Sequence, residues 1–303
     1  MFNYKNLTSK PLIVGILFLL ASCGSGGNKN TSEVRVDSAE LEQDIFTDIS
    51  HAKQIFYSLP SPLESAMLIK SAGATYNEKI LNSLTNVNKY TTNKSMALNL
   101  GIYITDLSYA SLFDQAQTTI KYMDVAKKMA DGLGITDAID QNTINRLEEN
   151  INNRDVILDI ISETFMSSTA FLKENDRQPL ATIALVGGWI EGLYIATQLV
   201  GDAPIEDNKI VQRIVDQKLA LDMVIKLLEN NKESADIANI AVFISELKKV
   251  YDKITIKSSK IKPVTDEKTE VTTLKSTSTS NVTQEVFAQL KDTIKTIRTN
   301  FTL

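Results

Sequence analysis

The 303-residue sequence predicts an all-α chain, a multi-helix bundle or helical-repeat-like domain, on three observations. Apolar residues recur at intervals of three and four over most of the length, which is the period of one helix face. Alternation of apolar and polar residues, the mark of a half-buried strand, is nearly confined to Val271–Leu274. The apolar share of 43% is ordinary for a globular protein, so a packed core is expected rather than disorder.

The elements follow in order. From Ser38, the positions Leu41, Ile45, Ile49, Ala52, Ile55, Phe56 and Leu59 make one helix face that stops at Pro60. Ser61-Pro62-Leu63-Glu64 combines a serine N-cap, proline at the first helical position and a glutamate able to bond back to the cap. It opens a second helix running through Met67, Leu68 and Ile69 to Gly73. A short helix at Glu78–Leu84 precedes a longer one over Met96–Phe113, and Asp114 can cap another that ends at Gly132 or Gly134. Thr136, Asn153 and Arg177 open further helical segments, and Asn230-Asn231-Lys232 separates helices over Ile205–Leu228 and Ser234–Ile256. These make a helical domain over 38–256. Ser, Thr and Lys then dominate 257–281, the composition of a linker or exposed loop. In the last segment, 282–303, Val286, Leu290, Ile294, Ile297 and Phe301 recur at three and four with Thr283 as cap. Such a stripe predicts a helix packed on the main body, or on another protein.

The first residues have a different logic. Lys5 and Lys10 flank a short basic stretch, the apolar run Pro11–Leu20 follows, and Leu20-Ala21-Ser22-Cys23 closes it. This is the three-part design of a secretory signal, with an apolar run shorter than the roughly 20 residues a spanning helix needs. The closing four residues resemble a lipobox, which implies cleavage after residue 22 and thioether lipidation of Cys23, the only cysteine. Proteins with that signal generally carry more than one acyl chain, so the attachment is expected to be durable. Residues 23–37, beginning Cys23-Gly24-Ser25-Gly26-Gly27, then read as a flexible tether. The expected address is the bacterial cell envelope, at the outer membrane facing the periplasm, because Gly24 is not the aspartate that resembles an inner-membrane retention signal. Removing residues 1–22 takes away two lysines and no acid, so the formal charge of −5 becomes two units more negative. A mildly acidic domain has no electrostatic footprint for nucleic acid.

One internal echo marks the centre of the chain. The segment from Gly101 to Ala110 aligns without gaps to that from Gly187 to Ala196, with Tyr103 opposite Trp189. If this reflects duplication, the two segments are equivalent central helices related by a pseudo-twofold axis. Glycines within helices cost about 1 kcal/mol each against alanine, so Gly101, Gly187 and Gly188 predict either a close helix crossing or a backbone approach to a ligand. Tyr103, Asp106, Tyr109 and Phe113 share one helix face. An acid on an aromatic face needs a partner, because burying a carboxylate alone is costly. Trp189, Glu191 and Tyr194 form a similar group, although Trp189 and Glu191 diverge at a spacing of two. Two readings stay open. In one, Tyr103, Tyr109, Trp189 and Tyr194 line a cavity in which Asp106 and Glu191 orient a polar ligand. In the other, the aromatics are core and the acids bond to tyrosines or arginines.

Other chemistry has little support. His51, beside Ser50, is the only histidine and has no recognisable partner for nucleophile activation. No zinc cluster, calcium loop or phosphate-cradling loop is present, so neither metal nor cofactor is expected, and Asp44 with Asp48 reads as a solvated face.

Leu59-Pro60-Ser61-Pro62-Leu63-Glu64, Leu98-Asn99-Leu100-Gly101 and Asp106-Leu107-Ser108-Tyr109 resemble motifs of uncharacterised helical lipoproteins of Gram-negative bacteria. The resemblance covers most of the mature chain and implies no activity, so no functional residue is carried over. The leading expectation is a non-enzymatic binding or scaffold lipoprotein, held to the membrane by its lipid, with an envelope protein or small ligand as partner. The alternatives are an enzyme using Asp106 and Glu191, and a helical adaptor for envelope proteins.

Overall fold

A computed structural model describes residues 75–258, 262–265, 272–275 and 278–303. The chain divides into Met1–Phe46 and Thr47–Leu303, and every described residue belongs to the second unit. The expected signal segment, Cys23, the expected tether, Asp44, Asp48, His51 and the first two expected helices lie outside the described residues.

Two 3-10 turns, Glu78–Ile80 and Leu84–Lys89, lead into α1 (Asn93–Leu112) and α2 (Ala116–Gly132). A third turn, Thr136–Ile139, precedes α3 (Gln141–Glu149), α4 (Arg154–Glu174), α5 (Gln178–Val200), α6 (Lys209–Glu229) and α7 (Ala235–Tyr251). Short strands β1 (Ile256–Ser258), β2 (Lys262–Thr265), β3 (Thr272–Lys275) and β4 (Ser278–Ser280) then lead to α8 (Gln284–Thr302). The described residues therefore form an all-α multi-helix bundle with one paired-strand excursion.

Helices α1 and α5 make the centre. Every residue of α1 from Ala97 to Leu112 is buried, and burial is nearly as complete along α5 from Ala181 to Val200. A helix that is apolar on all sides belongs inside a bundle. By length and a mean hydropathy of 1.5, α5 is apolar enough to cross a membrane, yet 83% of its most apolar window is buried within the bundle. Its apolarity is thus accounted for by the core. Around this pair, α2, α4 and α8 pack on α1, while α4, α6, α7 and α8 pack on α5.

Glycine sets the distance between the two central helices. A Cβ on Gly101 would overlap the carbonyl oxygen of Ala184, and one on Gly187 the carbonyl oxygen of Leu98. The contacts are reciprocal, since Leu98 precedes Gly101 by the same three residues by which Ala184 precedes Gly187. The helical glycines are offset here by direct backbone contact, which any side chain would prevent. Thr105 closes the crossing, its Oγ1 donating to Gly101 O at 3.0 Å and lying 3.2 Å from Gly188 O.

Local chemistry fixes the ends of the elements. A reciprocal capping box opens α1, in which Thr92 Oγ1 accepts from Ser95 N and Ser95 Oγ accepts from Thr92 N. Asn153 caps α4 and Thr283 caps α8, each through a backbone N–H three residues on. Arg177 stands before α5, which has proline in its first turn. The α8 stripe of Phe287, Leu290, Ile294, Ile297 and Phe301 is buried against α1, α5 and α7.

Several boundaries depart from the periodicity. The expected helix at Glu78–Leu84 is a pair of 3-10 turns separated by Leu81–Ser83. Asp114 does not cap α2: it adopts φ 59°, and Gln115 precedes the helix instead. The chain reverses within Phe113–Gln115, and aspartate tolerates the left-handed conformation that this needs. Helix α6 starts at Lys209 rather than Ile205, because Asn208 Oδ1 accepts from both Ile210 N and Val211 N. In the segment read as linker or loop, β1 pairs antiparallel with β4 from Ile256↔Ser280, and β2 with β3 up to Thr265↔Thr272.

Candidate functional site

The glycine contact carries two acids with it. Asp106 lies just beyond Gly101 on α1, Glu191 lies just beyond Gly188 on α5, and both are 0% exposed. The two carboxyls are close enough that Glu191 acts directly on the ionisation of Asp106. Two ionised carboxylates are both acceptors and repel each other in a buried site, which favours a proton on Asp106. Asp106 Oδ2 accepts the Asn82 N–H at 3.1 Å, whereas no N–H or O–H donor reaches Oδ1. Protonation makes that second oxygen a donor, and Glu191 is the acceptor opposite.

The countercharge comes from α8. Arg298 Nε donates to Glu191 Oε2 at 2.9 Å and its Nη2 to Oε1 at 3.1 Å, a two-pronged grip on one carboxylate. The guanidinium lies over the Tyr194 ring, 4.7 Å from its centre. Arg298 is the member of the triad that touches solvent, with 13% of its side chain exposed.

A second layer of polar groups surrounds the triad. Asn82 is its hub: its amide Nδ2 donates to Tyr90 Oη at 3.0 Å and Asn99 Oδ1 at 3.1 Å, and its carbonyl accepts from Tyr122 Oη at 2.8 Å. Asn99 Nδ2 donates to Phe301 O at 2.9 Å, and Tyr90 Oη donates to Thr302 O at 3.3 Å. Those two carbonyls are among the last of α8, which have no partner within the helix. The body of the protein therefore caps α8 from outside.

Burial sets the electrostatics. It pushes the Asp106 carboxyl well above its usual range, Glu191 pushes the same way, and Arg298 with the Asn82 N–H opposes them less strongly. Burial also raises the Tyr103 and Tyr122 phenols. Burial is the largest single influence on the Arg298 guanidinium and lowers it, but the charge and hydrogen bonds of Glu191, together with Asp106 and Tyr194, hold the arginine above its ordinary value.

Glu191 and Tyr194 of the expected site meet at Arg298, with Asp106 beside Glu191. Tyr103 turns to the segment before α1, where its Oη donates to Ser83 O at 2.9 Å and its ring lies near Tyr90 and Tyr122. Tyr109 accepts from Asn77 N at 2.9 Å and stacks on Tyr76. Trp189 points to α6, its Nε1 donating to Gln217 Oε1 at 3.1 Å. These aromatics are spread over separate contacts. Sequence reasoning missed Arg298, Asn82, Asn99, Tyr90 and Tyr122. For Arg298 a signal existed, because it stands four residues after Ile294 and three before Phe301, inside the apolar stripe.

A buried acid pair can hold a proton and join helices. General acid–base work also requires a substrate atom within hydrogen-bond reach, and both carboxyls here are fully buried and bonded to Asn82 or Arg298. Open space lies elsewhere: a cleft of about 440 Å³ between α6 and α7, lined by Ile225, Leu228, Ile237, Ala241 and Ile244, and one of about 290 Å³ beside the start of α6. Among the described residues, no group of three or more His, Cys, Asp or Glu side chains could hold a metal ion. Neither a family model, nor a curated protein, nor a solved structure matches this chain.

Proposed function

We propose that this chain is a membrane-anchored, extracytoplasmic helical lipoprotein that works as a binding or scaffold protein rather than as an enzyme. One observation carries the non-enzymatic part. The chain's best acid–base constellation, Asp106 with Glu191, is fully buried and engaged by Arg298 and Asn82. The anchoring part rests on the basic, apolar and small-residue pattern that ends at Cys23.

Metabolic labelling with a clickable fatty acid tests the address. The wild-type chain incorporates label and fractionates with membranes, while Cys23→Ser stays unlabelled with residues 1–22 attached. An unlabelled wild-type chain in the cytosol overturns the reading. The adaptor reading draws on the apolar α6–α7 cleft, with Lys232 and Lys248 at its edge and Val242 on the same helix as its α7 wall 62% exposed. Crosslinking in intact envelopes, followed by identification of what is captured, separates an adaptor from a small-ligand binder.

A further inference from the structure

The Asp106 site contains two carboxyl groups and one guanidinium. Arg298 engages both oxygens of Glu191 and so balances one negative charge. The groups facing Asp106 are Tyr76 and Asn82 from the segment before α1, Tyr103 on α1 itself, Tyr122 from α2, Glu191 and Tyr194 from α5 and Arg298 from α8. The Tyr103 and Tyr122 hydroxyls donate elsewhere, to Ser83 O and Asn82 O. An ionised Asp106 would therefore add an unbalanced charge to a dry site and leave Oδ1 without a donor.

We propose that the single proton between Asp106 and Glu191 is a latch that keeps α8 seated on the α1–α5 crossing, and that its loss at rising pH releases α8. The choice of α8 follows from three contacts. Arg298, on α8, is the one edge of the triad open to water. The α1–α5 contact is backbone against backbone at Gly101 and Gly187, and the polar side chain at the crossing, Thr105, is uncharged and already bonded to Gly101 O. The end of α8 is held by side-chain bonds from Asn99 and Tyr90, which water can replace.

The sign of the pH effect follows from proton binding. Below about pH 4, native and unfolded chains both carry the Asp106 proton. Above that, the unfolded chain gives it up while the native chain retains it. Stability then falls with pH until native Asp106 itself ionises.

Asp106→Asn is the test, since its amide oxygen can accept from Asn82 N and its amide N–H can donate to Glu191 without any titration. The ratio of the unfolding constant of the wild type to that of the variant should grow about tenfold per pH unit above about pH 5. A flat ratio overturns the proposal. Hydrogen exchange of the full mature chain, corrected for intrinsic rates, should show amides of 284–303 losing protection at lower pH than those of α1 and α5 in the wild type only. Simultaneous loss in all three helices overturns the latch. Should the variant fail to fold, the wild type at pH 7 still has to show the infrared carbonyl band of a protonated buried carboxyl, and absence of that band refutes the idea.

Discussion

At Leu98 and Gly101, α1 meets α5 through main-chain atoms, whereas Asn99 and Asp106 of the same helix face polar side chains and the end of α8. The first contact is specified by missing atoms, the second by matched donors, acceptors and charge. A contact made by deletion has no titrating group and gives steric uniqueness. A buried polar seat fixes orientation at a high desolvation cost, and it depends on every member being present.

The largest effect should come from the polar seat. Replacing Arg298 with methionine keeps much of the side chain's volume and strands Glu191 as a buried charge, a change expected to cost about 3–5 kcal/mol at pH 7. Urea denaturation checks this as a lowered midpoint, and Arg298→Lys should fall between the two because it keeps the charge and loses the fork. A methionine variant as stable as the wild type would mean that α8 is held by its apolar stripe alone. Next comes the crossing itself. Gly101→Ala and Gly187→Ala each place a methyl group into a facing carbonyl, and each should lose about 1–3 kcal/mol. Because the contacts are reciprocal, the two losses should be similar. Strongly unequal midpoints would show that the two sides of the crossing are not energetically equivalent.

The sequence reveals these two regions unequally, for a physical reason. Gly101 and Gly187 stand out because glycine inside an apolar helix needs an explanation within the local pattern. Asp106 stands out likewise, as an acid on an aromatic face. Arg298 is harder to see, since an amphipathic helix rich in charge invites the assumption that its basic residues face water. Only its register with Ile294 and Phe301 argues otherwise. Asn82 and Tyr90 lie in or beside 3-10 turns, where no periodicity marks a buried face. Their partners are far along the chain, Asn82 bonding across 24 residues to Asp106 and Tyr90 across 212 to Thr302. Direction was also hidden. The stripe of Tyr103 and Tyr109 was legible as apolar, but that it faces the segment before α1 rather than α5 depends on chain tracing that spacing does not encode.

Gly132 supplies the smallest effect and the control for the crossing. A Cβ there would also overlap another atom, the Met96 Sδ, so overlap alone predicts damage like that at Gly101. The obstructing atom differs in kind. Met96 is half-buried and ends in an unbranched, freely rotating thioether, whereas the Ala184 carbonyl is fixed in the hydrogen-bonded backbone of α5. Alanine is also a better helix former than glycine by about 1 kcal/mol, less at the last turn that Gly132 occupies. Gly132→Ala should therefore shift stability by under about 1 kcal/mol in either direction, read from the same denaturation curves. A loss matching that of Gly101→Ala would show that any added methyl group is intolerable in this bundle, and the case for a backbone-set crossing would lose its contrast.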